Sequence, residues 1–455
     1  MKQAAVRIKH RCVSAGFILC AWLVGSASAL ATNIHVAQVE APSPARSLLA
    51  NTRDLQQFQR LQRAADQAAH YLAQQIKADG QFEYRINLNP SITVPLRYNI
   101  LRHAGAIYAL SAYYQTQPDP EIKAAIDRAG GYLRDRAIAP VPGQSDMLAV
   151  WSIPEVNRSG KPLQAKLGGT GLGLVALLSI EEIEPGFVSL DDLRSLGRFI
   201  LYMQKEDGSF YSKYIPSEGG RWDRWQSLYY PGEAALGLLM LYQKDNSEIW
   251  LEAAVKALTY LAHSREGSSD VPADHWALLA TEQLLSLPGQ EQLPVSEDLL
   301  VNHGIQICET ILRSQIQSSE KPEYRGGFSV NGKTTPTATR LEGLQAALSF
   351  IPADRAIRPR IEAAVPKGLS FLLAAQVQDE AFAGAFPRAV AFLDPTASNA
   401  TQFNRRATEV RIDYVQHALS AILQRLQQME NPSARSSTLM DLRLNNIPPF
   451  DKDLT

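Results

Sequence analysis

Six polar residues recur along the 455-residue chain, each opening an otherwise apolar run rich in Ala, Gly and Leu: His103, Thr170, Glu233, His275, Glu342 and His417. They stand in Arg102-His103-Ala104-Gly105, Gly169-Thr170-Gly171, Pro231-Gly232-Glu233-Ala234, Asp274-His275-Trp276-Ala277, Arg340-Leu341-Glu342-Gly343 and Gln416-His417-Ala418. Carboxylates and imidazoles are expensive to bury unpaired, so their recurrence predicts a shared cavity. Clustered in one, they acquire the shifted pKa values that acid–base chemistry requires. Asp274 adjoins His275, and Asp413 precedes His417 by four residues, which puts both on one helix face. The candidate catalytic set is therefore Glu233, His103, His275, Asp274, His417, Asp413 and Glu342. Paired carboxylates from this set suit glycosidic hydrolysis. A His base with an Arg clamp suits a lyase or an epimerase. No cofactor is predicted, although His103, His275, His417 and an Asp could ligate a divalent metal.

Each of these residues also has a structural reading. Asp274 fits a helix N-cap, and Glu233 fits the positive end of a helix dipole. A lone His on an apolar face fits a satisfied core residue, and Arg340 with Glu342 fits an internal pair. The run Gly169-Thr170-Gly171-Leu172-Gly173 lacks the strand–turn–helix context of a nucleotide site and reads as packing glycine.

The elements that must hold these residues are helices, with apolar positions three and four apart. Amphipathic segments at 61–75, 122–134, 190–204, 250–263, 304–315 and 361–376 alternate with the apolar segments 103–113, 170–178, 233–242, 275–285, 342–350 and 417–426. A helix with a polar face can lie outside, and one without must be buried. Strict alternation of six outer and six inner helices predicts an all-α fold, an (α/α)6 toroid of helical hairpins. Four outer segments end alike, in Gln75…Gly80-Gln81-Phe82, Gln204…Gly208-Ser209-Phe210, Gln315…Gly326-Gly327-Phe328 and Gln376…Gly384-Ala385-Phe386.

These Gln…Gly…Phe segments resemble the repeat of the terpenoid cyclase and protein prenyltransferase superfamily, where it ties outer helices together. The resemblance implies the ring fold. It does not extend to chemistry: the Asp-rich protonating motif of squalene-type cyclases is absent, and Cys308 falls on a predicted outer helix rather than at a zinc site. The same ring is similar to that of six-hairpin glycosidases, polysaccharide lyases and glucuronyl C5-epimerases.

Links from inner to outer helices are short, whereas those at 78–97, 137–166, 205–229, 317–335 and 377–408 are long. Only the link near 264–271 breaks the pattern. The long links gather on the rim where inner helices begin, and long ordered loops usually carry function. They are rich in aromatic and basic residues. The candidate substrate contacts there and at the nearby helix starts are Arg340, Arg102, Tyr230, Trp151, Trp222, Trp225 and Lys166. Aromatic platforms beside guanidinium groups suit sugars bearing carboxylates.

Residues 1–31 read as a signal for export, with Lys2, Arg7, Lys9 and Arg11 before an apolar stretch and cleavage sites at Ala27-Ser28-Ala29 and Ala29-Leu30-Ala31. Those four basic residues are unopposed by acidic ones, so cleavage takes the formal net charge from −1 to −5 and leaves Cys308 as the single cysteine. Residues 32–52 read as a flexible linker, 53–429 as the toroid and 430–455 as a loose tail. The near-neutral charge argues against nucleic acid as a partner, and no run reads as a stable membrane anchor. The expected partner is a polysaccharide or other small-molecule substrate, with the oligomeric state left open. An exported glycan-processing enzyme is the leading expectation. A non-catalytic glycan- or envelope-binding toroid, a metal-dependent enzyme and a terpenoid cyclase-like protein are the alternatives.

Overall fold

Twelve helices account for the ring. The computed structural model describes residues 44–158, 160–288 and 294–430, with side chains described from Asp54 onward. Outer helices are α1 (Pro44–Gln74), α3 (Pro120–Tyr132), α5 (Leu190–Met203), α7 (Glu248–Arg265), α9 (Glu297–Arg313) and α11 (Arg358–Ala375). Inner helices are α2 (Ile100–Thr116), α4 (Leu167–Ile183), α6 (Tyr230–Asp245), α8 (His275–Leu285), α10 (Thr334–Phe350) and α12 (Ile412–Glu430). Each inner helix packs on the next, and α12 packs back on α2, so the inner ring closes. The chain divides into two units at Thr52, and the ring belongs to the second. Helix α1 begins at Pro44, inside the stretch expected to be linker. The predicted signal segment 1–31 and tail 431–455 lie outside the described residues. Among those described, no helix is long and apolar enough to cross a membrane.

Local chemistry sets the helix starts. Asp119 caps α3 by accepting from the Glu121 amide at 2.7 Å, with Pro120 at the first helical position. Ser189 caps α5 through the Asp192 amide, and Asn99 caps α2 through the Leu101 amide. Side-chain oxygens here replace the partners that the first-turn amides lack.

The repeated Gln…Gly…Phe segments make the joints between outer helices. Gln204 Nε2 donates to the Ala253 carbonyl on α7 at 2.9 Å, and Gln315 Nε2 donates to Ala364 on α11 at 2.9 Å. Gln376 Nε2 donates to Ala64 on α1 at 2.8 Å, which brings the last outer helix onto the first. The glycine that follows has positive φ and lies one helical turn further along the neighbour. A Cβ on Gly208, Gly326 or Gly384 would overlap the carbonyl oxygen of Lys256, Lys367 or Gln67. The terminal Phe82, Phe210, Phe328 and Phe386 are all buried. Burying each such ring contributes roughly 2–3 kcal/mol.

The long links are not bare loops. Strand β1 (Arg85–Asn87) pairs antiparallel with β7 (Glu409–Arg411), joining the first and last links. Between them in sequence, β2 (Ile138–Val141), β3 (Gln144–Ser152), β4 (Gln164–Lys166), β5 (Lys213–Ile215) and β6 (Gly220–Trp222) form one antiparallel sheet in that order. The fold thus stays largely all-α, with strands confined to the rim. Thr170, expected among the mouth residues, is buried and accepts a hydrogen bond from the Val150 amide at 3.1 Å, tying α4 to β3. The neighbouring Gly171 allows α4 to approach α6 at Glu233 and Ala234, the packing role expected of that glycine run.

The joints predict a sharp contrast between two glycines. Gly384→Ala must displace the α1 backbone, and should cost about 3 kcal/mol by denaturant titration. Gly186→Ala, at φ 93° with open space around it, should cost only about 1 kcal/mol of backbone strain. Equal losses at the two sites would refute the joint as a tight contact.

Candidate active site

A cavity of about 810 Å³ opens where the inner helices begin. Of the expected residues, the structure brings Glu233, His275, His417, Asp413, Arg340, Arg102 and Tyr230 to its wall. Tyr229, Trp276, Lys333, Arg411 and Gln416 join them.

The floor is a pair of imidazoles over a carboxylate. The rings of His275 and His417 lie edge to face, 5.4 Å between centroids. His417 Nδ1 is 2.8 Å from Glu342 Oε2, and His275 Nε2 is 3.9 Å from the same oxygen. Glu342 is buried beneath them and does not line the upper cavity. It lines a smaller one of about 220 Å³ towards the other end of the inner helices. Burial raises its pKa, against the pull of His417. His275 is buried with neither ring nitrogen hydrogen-bonded. Burial, then His417 and Arg340, hold its pKa well below the ordinary 6.5, so it is a neutral imidazole. Tyr229 and Trp276 pack on it at 5.3 and 5.0 Å.

Glu233 enters from α6. Its carboxylate and the Tyr230 ring occupy the space that a side chain at position 168 would fill. Oε2 is buried without a partner. Burial drives its pKa well above 4.5, with Arg102 pulling it down, Asp274 pushing it up and Lys166 pulling it down. At neutral pH this group is poised to carry a proton.

Asp413 is the opposite case. Arg102 Nε donates to its Oδ2 at 2.8 Å, Arg411 Nη2 to the same oxygen at 2.7 Å, and Arg411 Nε to Oδ1. Although burial opposes it, the two guanidinium groups hold its pKa far below the usual range. It is a fixed anion that positions two arginines, not a proton carrier.

Several expected residues lie elsewhere. His103 is fully buried on the far side of α2, caged by Phe82, Tyr98 and Tyr132. Its Nε2 donates to the Ala129 carbonyl at 2.9 Å, and Nδ1 accepts from the Tyr98 hydroxyl at 2.7 Å. It is a satisfied core histidine. The inward position on α2 is Arg102, one residue away and about 100° round the helix. Asp274 caps α8 through the Ala277 amide and pairs with Arg265 at 2.8 Å, which commits its oxygens. Trp151 is buried, packs on Tyr214 and donates to Ala139. Trp222 and Trp225 sandwich the Lys213 ammonium at 4.7 and 4.5 Å, outside the cavity wall. Lys166 is also off the wall, but burial, then Arg102, Lys161 and Lys213, lower its pKa to about 8. Arg340 and Glu342 are not a pair: no ion pair joins them, and Arg340 Nη1 donates to the Phe328 carbonyl instead.

Arg411 is the wall residue that the sequence pattern hid most. It stands two residues from Asp413 at the strand-to-helix junction, where neither helical nor alternating spacing runs long enough to mark it. Among the described residues, the floor is where a divalent cation would fit: ligand atoms of His275, Glu342 and His417 lie within 4.8 Å of one another. Of the expected ligand set, His103 is excluded by its cage, and the carboxylate in the group is Glu342 rather than an Asp.

The satisfied His103 carries a pH signature. Its pKa falls from 6.5 unfolded to about 4 folded. The unfolded chain therefore binds the proton first, and stability drops as pH falls from 6.5 to 4. The loss is roughly 3 kcal/mol from this residue. His103→Gln should flatten the stability–pH slope in that window by about one proton; an unchanged slope would place the imidazole in solvent.

No family model matches the chain, and no curated protein matches it in sequence. Solved structures do. The chain is similar to a cellobiose 2-epimerase from Spirochaeta thermophila, with 14% identity and a TM-score of 0.61 over 86% of this chain and 100% of that one. It is similar to the GH76A α-1,6-mannanase of Salegentibacter sp., with 12% identity and a TM-score of 0.52 over 79% and 97%. An unsaturated glucuronyl hydrolase from Streptococcus agalactiae follows, with 13% identity and a TM-score of 0.51 over 81% and 91%. These neighbours process glycans. At such identities the likeness establishes the fold alone.

Proposed function

We propose that this chain is a carbohydrate-active enzyme that moves a proton at a sugar carbon next to a carbonyl, as an epimerase or isomerase does. The observation that carries the reading is the floor of the cavity. One neutral imidazole with both nitrogens free stands against a second whose Nδ1 is engaged by a buried carboxylate.

The two imidazoles suit the two halves of one reaction. His275 removes the proton from C2 of an open-chain sugar. The C–H electrons become the C1–C2 double bond, and the carbonyl oxygen takes the negative charge. His417, its Nδ1–H directed to Glu342 and its Nε2 also protonated, returns the Nε2 proton to the other face of C2, and exchange with solvent then resets the two rings. The carbonyl reforms with C2 inverted, and no electrons are gained or lost. Transfer of the O2 proton to O1, followed by protonation at C1, instead gives a ketose. Glu233, held protonated, serves as the acid that helps open the sugar ring, and the arginines carry the anionic intermediate.

Hydrolysis fits less well. It needs a second carboxylate free to act as base or nucleophile, and Asp413 and Asp274 are both committed to arginines. A metal centre on His275, Glu342 and His417 is the second reading, favoured by the closeness of their ligand atoms. The aromatic rim of a binding-only toroid would not call for the paired imidazoles. Export through a cleaved segment 1–31 belongs to the same proposal, and Edman sequencing of the secreted protein should begin at Leu30 or Thr32; an intact Met1 on exported protein would overturn it.

Reducing disaccharides, neutral and uronate-terminated, should take up one solvent deuterium at C2 when incubated with the protein in D2O, read by proton NMR. His275→Asn and His417→Asn should each slow uptake at least about 100-fold, and Glu233→Gln at least about 10-fold. Wild-type rates in His275→Asn would remove the floor from the mechanism. Chelator-treated protein should react as before. Stoichiometric metal by elemental analysis, with activity lost on its removal, would instead make the three residues ligands.

A further inference from the structure

The cavity holds more positive charge than its own carboxylates balance. Arg102, Arg313, Lys333, Arg340 and Arg411 line it against Glu233 and Asp413. Asp413 is already shared by Arg102 and Arg411. Glu233 is pushed towards its neutral form and offsets little.

Arg340 and Arg313 are the cavity guanidinium groups without an ion pair among the described residues, and of the two Arg313 is exposed whereas Arg340 is partly buried. Arg340 Nη1 donates to the carbonyls of Phe328 at 2.9 Å and Pro336 at 3.3 Å. Nε is buried with no partner. Among the described residues, Arg340 forms no ion pair. Desolvation lowers its pKa, while Tyr229 raises it. Tyr229 is the same ring that packs on His275, so Arg340 stands one side chain away from the proposed base. A guanidinium taken out of water and met only by carbonyls is left short of a counter-charge. With Nη1 occupied, its free edge is Nε and Nη2. That edge matches the two oxygens of a carboxylate through parallel hydrogen bonds.

The excess continues outward. Strand β7 contributes Arg411 to this cavity and Glu409 to another of about 730 Å³ at the rim. There Arg85, Arg97, Arg405 and Arg406 face Glu409 as the one acidic residue of the lining. A potential of one sign along both cavities draws in anions and disfavours cations.

We infer that the carbohydrate handled in this cavity is acidic, and that Arg340 receives its carboxylate and so sets specificity for uronate over neutral sugar. The inference rests on the carbohydrate reading given above and adds the substrate class and the residue that selects it.

Calorimetric titration at pH 7 tests it, with a glucuronate-terminated disaccharide and its neutral glucose counterpart as probes. The wild-type protein should bind the acidic sugar at least tenfold more tightly. Arg340→Gln should erase that difference, and Arg340→Lys should restore part of it, because a point charge replaces the fork. Equal affinities in the wild type, or a preference that survives in a folded Arg340→Gln protein, would overturn the inference. Should Arg340→Gln fail to fold by circular dichroism, the wild-type comparison and Arg340→Lys decide. The two readings fail separately. Acid preference without deuterium uptake from any sugar keeps this inference and removes proton transfer. Uptake into neutral sugar with no acid preference does the reverse.

Discussion

A primary amide on a neighbour's backbone carbonyl, with a glycine seated one turn further on, is the contact on which this molecule depends. Each such joint fixes how one outer helix sits on the next, and three are identical in their chemistry at Gln204, Gln315 and Gln376. Inner helices have no polar face to guide them, so their order round the axis follows from the hairpins that the joints hold. Once the ring is closed, its mouth exists whatever residues line it. Stability supplied by the ring is what permits an unpaired Glu233, a bare His275 and an arginine without a carboxylate to remain at the top of the bore.

The cavity shows how environment sorts chemically similar groups. Glu233 and Asp413 are both buried carboxylates on the same wall. Asp413 meets two guanidinium groups and stays ionised, while Glu233 meets none within bonding distance and burial pushes its pKa well above the usual range. The two histidines above Glu342 are sorted in the same way, one oriented by a carboxylate and the other left free. Opposed environments at adjacent titratable groups are the usual means by which one site supplies both an acid and a base.

The fold was legible in the sequence because periodicity and alternation act over ten residues or more, where chance is averaged out. All twelve helices fall on the segments that apolar spacing marks, although several begin earlier, α1 at Pro44 rather than at 61 and α10 at Thr334 rather than at 342. The site was half legible. Glu233, His275, Glu342 and His417 converge because they share a register on the inner helices. His103 shares it in sequence but not in space: the inward position on α2 is Arg102, and one residue of slip turns a side chain from the bore to the outer layer. The loop residues failed for a different reason. Trp151 and Tyr214 pack across strands that bring together links far apart in sequence, and nothing local distinguishes such an aromatic from a sugar platform. The Arg102–Asp413–Arg411 clamp likewise joins residues from opposite ends of the chain.

The joint at Gln376 has a topological consequence. It closes the outer layer between the last hairpin and the first with the same amide and the same glycine that connect consecutive hairpins inside the chain. The seam is therefore held by the same joint as the internal boundaries at Gln204 and Gln315. Such a ring can be circularly permuted: cut in a short inner-to-outer link and rejoined across the seam, the chain keeps every outer joint.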